Sequence, residues 1–458
     1  MSDNTPSPVG EGAAKLGAPK ALVLGLQHMF AMFGATVTVP LLTGLDIGTT
    51  LLCAGAGTLL FHLITGGKVP AFLGSSFAFL AGYWTVTGLA GTQGFETMTK
   101  SDLLPYACFG VACAGLLYLV LAALIKAFGI KRVMRCFPPI VTGPIIIAIG
   151  LGLAGSAVNN CQHMVNGEVV GTLWKNWLLA LTALATVCAC NIWGRRMVKI
   201  LPILIGLVVS YALAVCLGEV DFSAVKEAAW IGVPVHRAQT VLGVDFAKGG
   251  LVLSAVIAIV PIALATIMEH IGDISAISST VGKDFIKDPG LHRTLTGDGL
   301  ATTLASVLGG PANTTYGENT GVLALSRVFD PFVIRIAAVF AILLSFCPKF
   351  AAVITTIPAP IVGGISFVLY GMISAVGIRN LVENHIDFSK SRNLIIAAVI
   401  LVTALGGVSI SLGSGGARLT PLAIASLAGI ILNAIFPAGD YAARAKEDEP
   451  PKGNTFEV

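Results

Sequence analysis

The chain has 458 residues, of which 55% are hydrophobic and only 11% are charged, and its formal net charge is +4. Soluble proteins carry roughly 25% charged residues, so this composition excludes a soluble globular fold of such length. The small net charge, with its basic residues in short loops, gives no indication of a nucleic-acid partner, and we predict none. We expect the lipid bilayer to be the solvent for most of the chain.

Apolar blocks long enough to cross a ~30 Å hydrocarbon core as helices recur along the sequence. They predict an all-α polytopic membrane protein with about 14 transmembrane segments. The predicted segments are 21–43, 48–66, 69–88, 105–128, 138–158, 174–193, 198–218, 249–278, 294–309, 313–326, 332–348, 352–377, 393–412 and 418–437. The polar stretches at the two ends, 1–20 and 438–458, are predicted to be cytoplasmic tails.

Basic residues are concentrated in alternate loops. They are Lys126, Lys131, Arg132, Arg135, Arg195, Arg196, Lys199, Lys283, Lys287, Arg293, Arg327, Arg335, Arg379, Lys390 and Arg392. The intervening loops 91–104 and 159–173 contain no arginine. Because loops rich in Lys and Arg stay on the cytoplasmic side, this pattern predicts that the basic loops and both termini are cytoplasmic.

The longest polar loop, 219–248, separates seven predicted segments from the next seven. With an odd number of segments in each half, the second half must run inverted relative to the first. The sequence therefore predicts a 7+7 inverted repeat, an arrangement typical of secondary transporters.

The third segment of each half, span 3 and span 10, contains residues that disfavour a continuous helix. Residues 69–79 read VPAFLGSSFAF and residues 310–321 read GPANTTYGENTG. Proline, glycine and β-branched or hydroxyl residues favour extended backbone over helix. Such backbone is tolerated at membrane depth only where it is buried in protein or lines a cavity. We therefore predict two short strand and half-helix segments at the substrate site; the alternative is a pair of ordinary proline-kinked helices.

Four carboxylates lie within predicted segments: Glu269, Asp273, Asp298 and Glu318. A charge at bilayer depth is costly, so each is a candidate for a functional role. Glu269 and Asp273 are four residues apart and share a helix face. We predict that Glu269 and Glu318 bind substrate and that Glu269 and Asp273 take part in proton coupling, because burial and a neighbouring carboxylate both favour protonation.

Two other polar residues favour a structural interpretation. Asp298 lies in Thr-Gly-Asp-Gly near a predicted helix start, where an aspartate side chain commonly caps backbone amides. His28 follows Gln27 in the first segment and is interpreted as a packed hydrogen-bonding residue, with a role as a proton relay as the alternative. We predict no metal site and no cofactor, since no metal-ligand motif occurs at a plausible position.

Four stretches carry a resemblance to a known family. They are GENTGVLALSR at 317–327, QHMFAMFG at 27–34, LGSSFAF at 73–79 and EHIG at 269–272. Together they resemble the nucleobase–ascorbate transporter family, also called nucleobase–cation symporter 2, and specifically its bacterial uracil-permease branch. The resemblance runs from about residue 20 to residue 437.

The resemblance implies a core domain and a gate domain that move against each other like an elevator, usually in a homodimer. The core would comprise 21–128 and 248–348, and the gate 129–247 and 349–437. It also implies a multi-pass protein of the bacterial inner membrane.

When the family's residue roles are transferred by position, Glu269 and Glu318 would bind the nucleobase. The backbone of Phe77 and Gly317 would donate to its carbonyl groups. Tyr316 and Tyr370 would line the pocket, the latter from the gate side. Ser76, Asn319 and Asp298 would support the site.

The expected function is import of uracil with a proton. Uracil presents two N–H donors and two carbonyl acceptors, which carboxylates and strand amides complement. One departure leaves the purines xanthine and urate as the alternative: Asp273 stands where uracil permeases of this kind carry histidine. Sodium is not excluded as the coupling ion, and an anion carrier of related architecture or a membrane-embedded enzyme is less favoured by the residues.

Overall fold

The computed structural model describes residues 17–91, 95–134, 137–165, 167–195, 197–412 and 417–437. Most of these residues are helical. The helices are α1 Ala18–Thr43, α2 Ile47–Ile64, α3 Leu80–Thr87, α4 Lys100–Phe128, α5 Ile130–Met134, α6 Pro139–Gly152, α7 Ala154–Gln162, α8 Leu173–Trp193, α9 Met197–Ile200, α10 Pro202–Cys216, α11 Ser223–Glu227, α12 Gly249–Ile259, α13 Ala263–Val281, α14 Leu291–Val307, α15 Gly317–Ser326, α16 Pro331–Ser345, α17 Pro348–Thr355, α18 Ala359–Glu383, α19 Ser391–Leu405 and α20 Pro421–Ile435. The strands are β1 Leu73–Ser75, β2 Met164–Val165, β3 Glu168–Val169, β4 Asn313–Thr315, β5 Ile410–Leu412 and β6 Ala417–Leu419.

Seven helical stretches in the described residues are long and apolar enough to cross a membrane, and α16 with α17 makes an eighth if that bent pair is one span. The helices α10, α19 and α20 are apolar but shorter. The protein is therefore a multi-pass membrane protein, because this much apolar helix surface is stable only in lipid.

Two predicted segments had wrong boundaries. Segment 393–412 continues past the end of α19 at Leu405 into strand β5, because this part of the chain pairs with β6. The predicted segment 352–377 spans the end of α17 and the start of α18, and α17 itself leaves α16 at an angle of 85°. The physical reason is proline: Pro348 starts α17 and Pro358 directly precedes α18, so neither junction can continue a helix.

The strands β1 and β4 pair antiparallel although they come from opposite halves of the chain, with Leu73 opposite Thr315 and Ser75 opposite Asn313. Each strand lies at the Pro-Ala segment of its half and leads into a short helix, α3 or α15. Both strands are entirely buried. The pairing brings the two halves of the chain together at one point in the interior.

Side chains of neighbouring helices satisfy the outer edges of this two-stranded sheet. The Thr58 hydroxyl accepts from Leu73 N at 2.9 Å and lies 3.2 Å from Leu73 O. The Thr302 hydroxyl donates to Asn313 O at 2.8 Å, and His62 Nε2 lies 2.9 Å from Ala71 O. A strand in the membrane interior needs such partners, because no water is available to its backbone groups.

Helix packing places this sheet within one dense group of helices. The most extensive contacts there join α4 with α14, α16 with α2, and α14 with α2. A second set of extensive contacts joins α18 with α6, α7 and α8, and α19 with α20. The sheet faces α18 and α6 across a gap, and the cavity described below lies in that gap.

Candidate functional site

A cavity of about 320 Å³ lies where the β1–β4 pair faces α18. Its first wall comes mainly from the two crossing segments and α13. That wall contains Ala35, Ser75, Phe77, Ala78, Ala265, Glu269, Asp273, Thr314, Thr315, Tyr316 and Gly317. Pockets for small ligands typically measure ~300–1,000 Å³, so this cavity suits a small molecule and excludes a bulky one.

The opposite wall is largely apolar and comes from α6 and α18. It contains Ile146, Ile149, Leu369, Met372, Ile373, Val376 and Arg379. The α18 residues recur at helical spacing along one face, and Arg379 stands at the far end of that face. The cavity is therefore polar on one side and apolar on the other, with one guanidinium at its edge.

The acidic pair predicted from the sequence lies on the polar wall. Glu269 and Asp273 are on α13, one turn apart, and both line the cavity. Asp273 accepts a hydrogen bond from the Thr315 hydroxyl at 2.8 Å. Helix α13 thereby presents two carboxylates next to the end of strand β4.

Gly317 is the first residue of α15 and lines the cavity beside Asp273; a Cβ at Gly317 would lie 3.8 Å from Asp273 Oδ1. The N-terminus of α15 therefore points its free amides and the positive end of its dipole at the cavity. Glu318 follows in the first turn of this helix, and its side chain lies outside the described part of the structure.

Two predicted aromatic residues meet in this structure, but only one of them lines the cavity. Phe77 follows strand β1 and lines the cavity, and its ring packs edge-on against Tyr370 with 6.2 Å between centroids. Tyr370 is buried behind Phe77 and is not on the cavity wall. The reason is helical geometry: Leu369 and Ile373 occupy the cavity face of α18, and Tyr370 is rotated away from Leu369 by about 100°.

Tyr316 and Ser76 hold the crossing together. The Tyr316 hydroxyl donates to Ser75 O at 2.8 Å, and its backbone N–H donates to Phe72 O at 3.0 Å. Ser76 N–H donates to Ala312 O at 2.9 Å. These bonds join the two broken segments directly beside the cavity.

His28 and Asn319 form a buried pair behind the cavity. Asn319 Nδ2 lies 3.2 Å from His28 Nδ1 and 3.2 Å from His28 O, and both residues are fully buried. The pair connects α1 to the first turn of α15. This geometry matches a packed hydrogen-bonding role for His28, with Asn319 positioning the start of α15.

The interpretation of Asp298 as a helix cap was wrong. Asp298 lies within α14, well past its first turn, and is fully buried. Its Oδ2 lies 3.0 Å from His270 Nδ1, and His270 is also fully buried. The glycines on either side of Asp298 suggested a helix start, but Gly297 serves close packing against Phe61 instead.

Sequence reasoning missed three residues of the site. Thr315 binds Asp273, Thr36 lies beside Tyr316, and Arg379 lines the cavity. Arg379 was predicted to lie in a basic loop, although it follows Met372 by seven residues and Val376 by three, spacings that place it on the same face of α18. Thr315 lies two residues before Gly317, where the family motif begins, and this position could have identified it as a site residue.

The arrangement suits a small, flat molecule with N–H donors and carbonyl acceptors. Carboxylates on α13 can accept from N–H groups, while amides at the start of α15 and after β1 can donate to oxygens. Phe77 offers a ring edge or face to a planar ligand. Among the described residues, no three His, Cys, Asp or Glu side chains group closely enough to hold a metal ion.

Comparison with known proteins gives the family. The Permease family (Xan_ur_permease) matches residues 19–412. The uracil permease of Bacillus subtilis is 42% identical over 426 residues, covering 93% of each chain. The putative pyrimidine permease RutG of Escherichia coli is 37% identical over 457 residues, covering 98% of this chain and 96% of that one.

A solved structure supports the fold. The transmembrane domain of the cyanobacterial bicarbonate transporter BicA superposes with a TM-score of 0.61 at 15% identity, covering 90% of this chain and 96% of that domain. The chain belongs to the Permease family, the nucleobase–ascorbate transporters, and the resemblance noted in the sequence is confirmed. It is thus a transporter rather than an enzyme.

Proposed function

We propose that this protein carries uracil across the membrane together with a proton. The main support is the cavity, where two carboxylates and the start of α15 face an apolar wall in a space of about 320 Å³. Glu269 and Glu318 would accept from the two N–H groups of uracil. The amides near Phe77 and Gly317 would donate to its two oxygens, and Tyr316 would close one side.

The neutral charge of uracil supports coupling to a cation, and the cation that we propose is a proton. Uracil is neutral, so the membrane potential does not drive its accumulation directly. One proton moving through roughly 150 mV supplies about 3.5 kcal/mol, enough for a gradient of several hundredfold. Glu269, with Asp273 one turn away, is the proposed proton acceptor. A His28 relay is the weaker alternative, because His28 does not line the cavity and its Nδ1 lies 3.2 Å from Asn319 Nδ2.

The proposed movement is an elevator-like shift of a core domain, 21–128 with 248–348, against a gate domain, 129–247 with 349–437. The two walls of the cavity support this division. The strands, α13 and α15 lie on one side of the cavity, and α6 and α18 lie on the other. If the short apolar helices, the bent pair, α14 and the two strand–helix segments are counted as spans, each half has seven, which agrees with the proposed 7+7 inverted repeat.

The proposal also covers the membrane in which the protein lies and its oligomeric state. The chain would sit in a bacterial inner membrane with both termini cytoplasmic, as the basic loops indicate. In that orientation Arg379 lies toward the cytoplasm. The working unit would be a homodimer, no cofactor would be needed, and the coupling ion would be a proton in preference to sodium.

Uptake into proteoliposomes tests the proposal. Radiolabelled uracil is supplied outside, with an inward pH gradient and no sodium. Concentrative uptake that a protonophore abolishes and that unlabelled uracil, but not xanthine, competes would support uracil–proton symport. Uptake that requires sodium, or that persists with the protonophore, would overturn the coupling assignment.

A purine substrate such as xanthine or urate is the second candidate, and Asp273 favours it. A carboxylate at this position adds an acceptor beside the cavity, which a ring with additional N–H groups could use. If unlabelled xanthine reduces the uptake of the labelled substrate and unlabelled uracil does not, a purine substrate is established. Thymine belongs in the same panel, because one relative is named a pyrimidine permease.

A further inference from the structure

Tyr316 contacts strand β1 at both of its ends. Its backbone N–H bonds to Phe72 O, just before the strand, and its hydroxyl bonds to Ser75 O, the last strand residue. Between these points its ring lies against Gly74, where a Cβ would come within 2.7 Å of ring atoms. Only glycine leaves room for the ring at this position.

The Tyr316 hydroxyl has a second neighbour on a different helix. Thr36 Oγ1 on α1 donates to the Tyr316 oxygen at 3.2 Å. Ser75 Oγ in turn donates to Thr36 O at 3.1 Å. All three residues are buried, and Ser75 and Tyr316 also line the cavity.

The direction of the protons follows from the acceptors. Ser75 O is a carbonyl oxygen and can only accept, so the Tyr316 hydroxyl donates there and must accept from Thr36. Thr36 Oγ1 also lies 3.1 Å from Met32 Sδ, but a thioether is a weak acceptor. The Thr36 hydroxyl therefore donates to the Tyr316 oxygen, and so α1 is linked to the same hydroxyl that donates to β1.

We propose that Thr36 is a positioning residue for substrate binding, acting through the Tyr316 hydroxyl. Tyr316 is also the residue that precedes α15, so the chain Thr36–Tyr316–Ser75 sets how the start of α15 lies relative to the end of β1. These are the two places where backbone amides would meet the substrate. The inference rests on the proposed function in assuming uracil as that substrate.

The consequence is a specific effect on affinity. Removing the Thr36 hydroxyl leaves the bond from Tyr316 to Ser75 O in place but removes the donor that links the Tyr316 oxygen to α1. The start of α15 is then held less firmly against α1 and β1. A net hydrogen bond of this kind corresponds to about a 3- to 10-fold change in a binding constant. The maximal transport rate is expected to change less than about twofold, because no contact between the proposed core and gate is altered.

The test compares Thr36→Val, Thr36→Ser, Tyr316→Phe and the double variant Thr36→Val with Tyr316→Phe. Thr38→Val is the matched control, since Thr38 is equally buried on α1 but its hydroxyl donates to Gly34 O of its own helix at 2.6 Å. Uracil binding to purified protein and the KM and maximal rate of uptake are measured for each.

The expected result is an affinity weaker by about 3- to 10-fold and a correspondingly higher KM for Thr36→Val, with Thr36→Ser and Thr38→Val near wild type. The double variant should be no weaker than Tyr316→Phe alone, because both changes interrupt one chain. Wild-type affinity in Thr36→Val, or additive effects in the double variant, would overturn the proposal. Should Thr36→Val fail to fold, unchanged affinity in Tyr316→Phe would overturn it equally.

A second measurement separates this inference from the proposed function. The unfolding temperature of the substrate-free protein is measured for the same variants. If wild-type protein binds no uracil, the proposed function fails, while non-additive loss of unfolding temperature in the double variant still supports the Thr36–Tyr316 coupling. An additive loss of unfolding temperature in the double variant would contradict the Thr36–Tyr316 coupling, whatever the substrate is.

Discussion

Thr315 donates a hydrogen bond to Asp273 across 2.8 Å and so ties the end of strand β4 to helix α13. The two residues lie 42 positions apart in sequence. This contact fixes one carboxylate oxygen of Asp273 on the strand. The same side chain lines the cavity, so strand β4 sets where this carboxylate meets a ligand.

Replacing Asp273 by asparagine tests the role of its negative charge. The asparagine side chain would still offer an oxygen to Thr315 but could not bind a transported proton. The pH dependence of uracil uptake should therefore flatten, while affinity at the optimal pH stays within about threefold. The measurement is the initial rate of uracil uptake from about pH 5 to about pH 8. A wild-type pH profile in Asp273→Asn would exclude Asp273 from coupling.

Glu269→Gln is expected to abolish proton-driven accumulation. Glutamine retains an oxygen that can accept from a uracil N–H but takes up no proton in the transport cycle. Exchange of external for internal uracil should therefore persist at reduced affinity. Glu168→Gln is the control, because Glu168 is exposed in the short strand β3, away from the cavity. Concentrative, pH-dependent uptake by Glu269→Gln would show that another group carries the proton.

Gly34 on α1 and Ile203 on α10 pack in direct contact, and a Cβ at position 34 would collide with the Ile203 side chain. These helices belong to the proposed core and gate, so Gly34→Ala should slow transport at least about tenfold while uracil still binds. Ile203→Ala should restore transport in the double variant by making room.

Gly371→Ala provides the matched control for this pair, because a Cβ at Gly371 meets no atom within 4 Å. Equal loss of binding and transport in Gly34→Ala would indicate a folding defect. Absence of rescue by Ile203→Ala would argue against a sliding contact at this position.

Thr58→Val should destabilise the protein. The Thr58 hydroxyl accepts from Leu73 N–H at 2.9 Å and donates at 2.8 Å to Ala54 O of its own helix. Valine would leave the buried Leu73 N–H without this partner. The expected cost is about 1–3 kcal/mol, observable as a lower unfolding temperature, with Thr58→Ser close to wild type. Thr182→Val is the control, because that exposed hydroxyl bonds to a carbonyl of its own helix. Unchanged stability of Thr58→Val would mean that strand β1 does not depend on this bond.

The sequence alone was sufficient for the class of protein and for the position of the unusual segments. Low charge and long apolar blocks require a membrane, and Pro-Ala followed by Gly, Ser, Asn and Thr disfavours helix at 69–79 and 310–321. The four-residue spacing of Glu269 and Asp273 likewise determined that they share a face. Each of these conclusions depends on local chemistry or on helical periodicity.

Contacts between distant parts of the chain were decided only by the tertiary structure. The partner of Asp298 is His270 rather than an amide of its own helix, Tyr370 packs on Phe77 instead of lining the cavity, and Arg379 lies on the cavity wall rather than in a loop. Periodicity gives the face of a helix but not the neighbour that the face meets. That neighbour depends on the pairing of β1 with β4 and on how closely glycines such as Gly74 allow the segments to approach.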